Sequence, residues 1–212
     1  FRPFGRVASA RLDARGNVHA LFDSEVTGSV VCEDMSILDS RFPYAVDHLS
    51  GTVEFSQSEV KLNQLKGKHG QVDVLIQGWA RGHGDQRQYQ YQISSGNMIL
   101  DEDLYAALPP GPKRLWDAFS PSGVIGVDYR LTRSSPSDKR SHIAIDLRGV
   151  NATYEKFPYP LQDMTGGIYF DRERVLVTDV VASGQGRRIR LDGQVTDRDT
   201  GRPIYNITVD AN

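Results

Sequence analysis

Phe42-Pro-Tyr-Ala-Val-Asp-His-Leu-Ser-Gly-Thr-Val-Glu-Phe55 and Phe157-Pro-Tyr-Pro-Leu-Gln-Asp-Met-Thr-Gly-Gly-Ile-Tyr-Phe170 open two stretches of one chain. These stretches, 42–78 and 157–193, align without a gap at an offset of 115 residues. Of the 37 aligned positions, 7 are identical: the Phe-Pro-Tyr triplet, Gly51/Gly166, Phe55/Phe170, Val60/Val175 and Gly78/Gly193. A further 7 exchange one apolar residue for another: Val46/Leu161, Leu49/Met164, Val53/Ile168, Leu62/Val177, Leu65/Val180, Val74/Ile189 and Ile76/Leu191. The kept positions are turn residues and one face of alternating strands, while the charged positions between them vary. That is the pattern of a repeated scaffold rather than a repeated active site.

Around this core the apolar residues keep a period of two, as in Val53-Glu-Phe55, Val60-Lys-Leu62 and Val72-Asp-Val74-Leu-Ile76. Tyr89-Gln-Tyr91-Gln-Ile93, Val127-Asp-Tyr129-Arg-Leu131, Ile143-Ala-Ile145-Asp-Leu147, Val175-Leu-Val177, Ile189-Arg-Leu191 and Tyr205-Asn-Ile207-Thr-Val209 continue it. Alternation places one strand face on an apolar layer and the other in water. Turn chemistry falls at 56–58, 171–173, 67–70, 184–186, 83–85 and 199–201, which predicts an antiparallel meander. One segment breaks the pattern. Asp101 to Leu108 and Pro112 to Phe119 read as two short helices, the first opened by acids and the second by proline. Leu104, Leu108, Leu115, Trp116 and Phe119 are expected to pack them onto apolar surface. A polar loop follows at 133–140.

Gly5-Arg-Val-Ala-Ser-Ala-Arg-Leu12 loosely echoes Gly123-Val-Ile-Gly-Val-Asp-Tyr-Arg-Leu131, and Val30/Ile145 and Cys32/Leu147 extend the match. The expected organisation is a β unit over 1–108, a helical and proline-rich connection over 109–122, and a second β unit over 123–212. Each unit has room for five or six strands.

The 212 residues carry a formal net charge of −2, which gives no long-range attraction to nucleic acid. No apolar run approaches the ~18 residues needed to span a bilayer as a helix. Phe1 in place of Met, with strand-like sequence at both ends, reads as a piece of a longer polypeptide. Cys32 is the single cysteine. It alternates with Val30, so a buried thiol is expected. Asn151-Ala-Thr153 and Asn206-Ile-Thr208 match the glycosylation acceptor pattern.

Candidate chemistry is sparse. His19, His48, His69, His83 and His142 have no metal-ligand spacing, so no metal is expected. Asp101, Glu102 and Asp103 open a helix, and Asp171 and Glu173 flank a turn. Neither nucleophile motifs nor phosphate-cradling glycines occur, so neither catalysis nor a cofactor is expected. Two basic groups, Arg187, Arg188 and Arg190 with Arg198 and Arg202, and Lys61, Lys66 and Lys68, fit a wet outer face or contact with anionic headgroups. The apolar stripes fit either a closed sandwich core or an open trough for acyl chains. The repeat favours the trough, because head-to-tail sheet units extend a continuous apolar surface. A carbohydrate-active β protein would need aromatic platforms, for which only Trp79 and Trp116 are available as tryptophans.

The phrases Leu49-Ser-Gly-Thr-Val-Glu-Phe55, Val60-Lys-Leu62, Leu65-Lys-Gly67 and Val74-Leu-Ile-Gln-Gly78, repeated as Met164-Thr-Gly-Gly-Ile-Tyr-Phe170 through Leu191-Asp-Gly193, resemble the AsmA-like and TamB-like proteins of Gram-negative-type envelopes. Trp116-Asp with Pro121-Ser-Gly123 resembles the joint between their units. The resemblance covers most of 30–212. It implies antiparallel sheets curled into a taco-like groove that conducts phospholipid between membranes without catalysis. It also implies a periplasmic location within a longer protein anchored in the inner membrane. Implied partners are phospholipid acyl chains and other envelope proteins, with membrane contact made by other parts of the parent chain. On this reading the groove is lined by Val53, Phe55, Val60, Leu62, Val74 and Ile76 in the first unit. Ile168, Phe170, Val175, Val177, Ile189 and Leu191 line it in the second. The competing expectation is a structural spacer or interaction module with a closed core.

Overall fold

The computed structural model describes residues 2–15, 25–198 and 202–211. The expected turn at Asp199-Thr200-Gly201, and His19, lie outside the described residues. The protein is mostly β. Among the described residues, twelve strands form one unclosed sheet in which each strand neighbours the next in sequence. They are β1 (Arg2–Arg15), β2 (Glu25–Asp39), β3 (Phe42–Ser56), β4 (Glu59–His69), β5 (Val72–Arg81) and β6 (Gln88–Ile99), followed by β7 (Ser122–Arg133), β8 (Lys139–Tyr154), β9 (Phe157–Phe170), β10 (Val175–Gly184), β11 (Arg187–Thr196) and β12 (Ile204–Ala211). The pairings are antiparallel, as expected of a meander. Two helices, α1 (Glu102–Ala107) and α2 (Pro110–Phe119), interrupt it between β6 and β7.

Several strands run past the usual limit of about ten residues, β8 reaching 16. They are continuous because β-bulges absorb what the sequence shows as breaks. His48, Gln64, Asp163 and Asp179 all adopt positive φ, between 48° and 52°. Where β4 pairs with β5, the register slips between Leu62 and Leu65; where β10 pairs with β11, it slips between Val177 and Val180. One extra residue at each point bends the strand and restores the apolar face.

The Phe42-Pro-Tyr44 triplet opens β3, and Tyr44 is buried. Proline at a strand's start removes no needed hydrogen bond. Two expectations, the 67–70 turn and the start of the second helix, are corrected here. Gly67 lies within β4, so that turn is confined to Gly70 and Gln71. α2 starts at Pro110 rather than Pro112, since a helix's first turn needs no proline N–H.

The chain forms two compact units. The first comprises 1–39, 45–93 and 130–140, and the second 40–44, 94–129 and 141–212. In the first, Val46, Leu49, Leu65, Val72, Val74 and Ile76 are buried. In the second, Ile125, Leu147, Val150, Ala152, Met164, Val180 and Ala182 form a contiguous core. There the helices close over part of the apolar face. Leu104 and Ala107 join Tyr44 in a cluster against Phe42, Met98, Leu100, Leu108 and Trp116. Met98 and Leu100 also pack on the main core, which places both helices on the sheet's apolar side. Leu115 does not pack as expected and stays half exposed, while Phe119 stacks on Tyr154 with ring centroids 5.0 Å apart.

Asp101 caps α1, its carboxylate accepting from the Leu104 N–H at 3.0 Å. Asp101→Ala leaves that N–H without its partner. The expected loss is about 1 kcal/mol, or a Tm lower by about 2–4 °C in thermal unfolding.

Candidate apolar trough

The candidate residues fall on one face within each unit, because directly opposed residues of an antiparallel pair point the same way. In the first unit Val53 faces Leu62 and Phe55 faces Val60. Val60 also faces Ala80, Leu62 faces Gly78, Leu65 faces Ile76 and Gly67 faces Val74. The second unit has the same arrangement 115 residues on. Ile168 faces Val177, and Phe170 faces Val175. Val177 also faces Gly193, Val180 faces Leu191 and Ala182 faces Ile189.

Burial is graded along this face. Val74, Ile76 and Ile189 are buried, at 5%, 8% and 7% exposure. Val53, Phe55, Leu62, Ile168, Phe170, Val175, Val177 and Leu191 are half-buried, and Val60 is 39% exposed. Ile168, Val177 and Leu191 also pack against the second unit's core. The face is therefore covered toward the bulges and opens toward the tips of the β3–β4 and β9–β10 hairpins. Near the first tip lies a cleft of about 420 Å³ that includes Phe55, Gly28, Arg11, Glu54, Glu59 and Lys61 in its walls. The Phe55 ring lies against Gly28, where a Cβ would come 2.5 Å from ring atom Cζ.

Sequence reading missed the closed end of the face. Leu49, Leu65, Met164 and Val180, all buried, lie there. Their signal was present, since they are apolar at matching positions, but the bulges put them three rather than two residues from their neighbours.

The opposite face is charged and largely paired. The Arg190 guanidinium bonds Asp192 at 2.8 Å and also Asp179. Lys61 meets Glu59 at 3.3 Å, and Lys68 meets Asp73 at 3.3 Å. Two side chains serve the bulges. Asn151 Oδ1 accepts from the Asp163 N–H at 3.1 Å, and Asp192 Oδ1 accepts from the Asp179 N–H at 2.8 Å. These pairs suit the wet-face reading of the arginines and lysines.

Several ionisations bear on stability. The His48 ring bonds Asp34, with Arg6 nearby, and holds its carboxyl below the ordinary 3.8. The Arg190 side chain and the Asp179 N–H do the same for Asp192. Ser134 and Arg140 lower Asp138. Burial works against the lowering at Asp171, but the Arg174 and Glu173 N–H groups outweigh it. A lowered folded value means that the unfolded state takes up protons first. The stabilisation is complete above pH 3.8 and is lost as pH falls through the lowered values. Urea midpoints followed downward in pH should therefore hold until that point and then fall. Asp192→Asn should flatten part of the fall, and an unchanged slope in that variant contradicts the assignment.

Burial pushes the Tyr44 phenol up to about 12, helped by the Asp101 and Asp103 carboxylates. It also raises the thiol of buried Cys32. Among the described residues no group of His, Cys, Asp and Glu is arranged to hold a metal ion, and no helix is long and apolar enough to cross a membrane. Compared with protein-family models, curated proteins and solved structures, the chain matches none of them.

Proposed function

We propose that this chain is a lipid-binding and lipid-conducting segment of an AsmA-like or TamB-like intermembrane transport protein. It works in the periplasm without catalysis, as part of a longer protein anchored in the inner membrane. In this reading the sheet is two copies of a six-strand unit, each curled into a taco-like groove. The duplication is supported by positive-φ residues at 48 and 163 and at 64 and 179, and by Gly51 and Gly166 and Gly78 and Gly193 in matching conformations.

The observation that carries the lipid reading is the half-open apolar face in each unit. Apolar contact is non-directional, so a chain seated there gains about 0.8 kcal/mol per CH₂ buried yet meets no single tight site. Such a surface permits sliding. A second reading, a spacer module with a closed core, is favoured by the burial of Val74, Ile76 and Ile189.

Native mass spectrometry with lipid extraction separates the two. Co-purifying phospholipid, released on organic extraction and regained from added lipid, is expected. A lipid-free chain that ignores added fluorescent phospholipid supports the spacer.

A further inference from the structure

We propose that α1 and α2 form a displaceable lid over the second unit's apolar face, which a phospholipid acyl chain pushes aside when it binds there. The inference rests on the lipid reading above and adds its regulation. β6 ends at Ile99 and β7 starts at Ser122, and the two are neighbours in the sheet. The Leu100 N–H donates to the Gly123 carbonyl oxygen at 3.0 Å. The chain therefore leaves the sheet and returns to it at bonded positions, and residues 101–121 are an excursion that strand pairing does not need. Two residues suffice where β3 turns into β4, at Gln57 and Ser58, and where β10 turns into β11, at Gln185 and Gly186.

The helices are fastened to each other. The Tyr105 hydroxyl donates to Asp117 at 2.9 Å, and Lys113 Nζ donates to the Ala106 carbonyl oxygen at 3.0 Å. The Tyr105 and Trp116 rings lie 5.7 Å apart. A pair joined in this way moves as one body. Its grip on the sheet is narrow. Leu104 and Ala107 are buried in the cluster with Tyr44, but no residue of α2 is buried. At the returning end the Ala118 carbonyl oxygen accepts from the Glu155 N–H at 2.8 Å, and Ser120 holds a left-handed φ of 42°. Elements with few buried apolar contacts open before the core does.

The lid covers part of the proposed trough. Beneath it, Met98 and Leu100 pack both on the helices' cluster and on the core that carries Ile168, Val177 and Leu191. Among the described residues the first unit has no α-helix, so its matching face, with Val53 and Leu62, has no such cover. Water on an empty apolar face is unfavourable, and the lid keeps it off until an acyl chain takes the lid's place. Helix and acyl chain then compete for one surface. The apparent affinity falls with the fraction of molecules whose lid is open. The second unit is accordingly the weaker lipid site.

A single thiol reads the lid. Cys32→Ser removes the native one, and Ala107→Cys places another on the lid's underside, at a site 2% exposed. The lipid is diheptanoylphosphatidylcholine below its micelle concentration, with binding measured by equilibrium dialysis. Modification of that thiol by a charged maleimide should be slow without lipid and about tenfold faster with it, tracking the lipid bound. A thiol placed instead by Ala152→Cys, in the sheet's core, should stay slow throughout, which shows that the sheet has not opened. Leu104→Ser, added to the Cys32→Ser/Ala107→Cys protein, should speed modification without lipid and tighten lipid binding about fivefold. If Leu104→Ser loses its β circular dichroism, Asp101→Ala, which only uncaps α1, takes its place with an effect of about twofold. Lipid that binds while the thiol at 107 stays protected, or binding that weakens in the loosened variant, overturns the lid and leaves the lipid reading standing. Lipid that binds to none of these proteins overturns the lipid reading, and the lid with it.

Discussion

Gly193→Ala is expected to destabilise the protein by about 3 kcal/mol or more, and Gly78→Ala by a similar amount. Two penalties combine. Gly193 has φ 152° and Gly78 φ 150°, where a side chain is strained whatever the space around it. At each glycine the added methyl would also run into a carbonyl oxygen of the next strand. That atom belongs to backbone, so relief requires parting β11 from β12, or β5 from β6. Gly186→Ala is the matched control. Gly186 has φ 80° but nothing within 4 Å of the added carbon, so only the conformational cost of about 1 kcal/mol applies. Urea unfolding of the three variants decides the matter. If Gly193→Ala costs no more than Gly186→Ala, the close approach of the strands is not what the glycine serves.

These glycines also explain how much of the fold was legible. Gly78 and Gly193 are among the few identical positions of the alignment, and they stand where backbone meets backbone. Conformation restricts such a position to one residue type, so it survives when surface charges drift. The apolar partners Val53 and Leu62, or Ile168 and Val177, were legible because each pair sits in regular strand, where period two maps directly onto one face.

Strand continuity was not legible, for a physical reason. A residue in the left-handed region inserts one step into the alternation, and three of the four such bulge positions named above are His48, Asp163 and Asp179. Asp and His are several-fold enriched at positive φ but not diagnostic of it. The sequence around Leu62 and Leu65 therefore reads as two short strands with a break, where the structure has one strand with a bulge. The helices were legible from their acids and prolines, but not which of their residues would pack. Leu104 is buried while Leu115 remains half exposed, because α2 has one side facing the sheet and its sequence is apolar at 115, 116 and 119.

Placing aspartate at both Phe55 and Phe170 is expected to lower phospholipid retention at least tenfold, about 1.4 kcal/mol, while the sheet stays folded. The argument depends on the gradient of burial. Both rings lie at the half-open ends of their hairpins, Phe55 opposite Val60 and Phe170 opposite Val175. A carboxylate there can reach water, so folding loses little more than the ring's own burial, about 1.5–3 kcal/mol each. An acyl chain lying along the face cannot avoid the new charge, and a desolvated carboxylate against hydrocarbon is strongly unfavourable. The contrast is Val74→Asp. Val74 is 5% exposed, so its carboxylate has no route to water and should unfold the protein outright. Circular dichroism and fluorescent-lipid binding on all three proteins separate the readings. A trough predicts that Phe55→Asp/Phe170→Asp is folded and lipid-poor while Val74→Asp is unfolded. A closed core predicts that both collapse together, since every position on the apolar face would then be equally cut off from water.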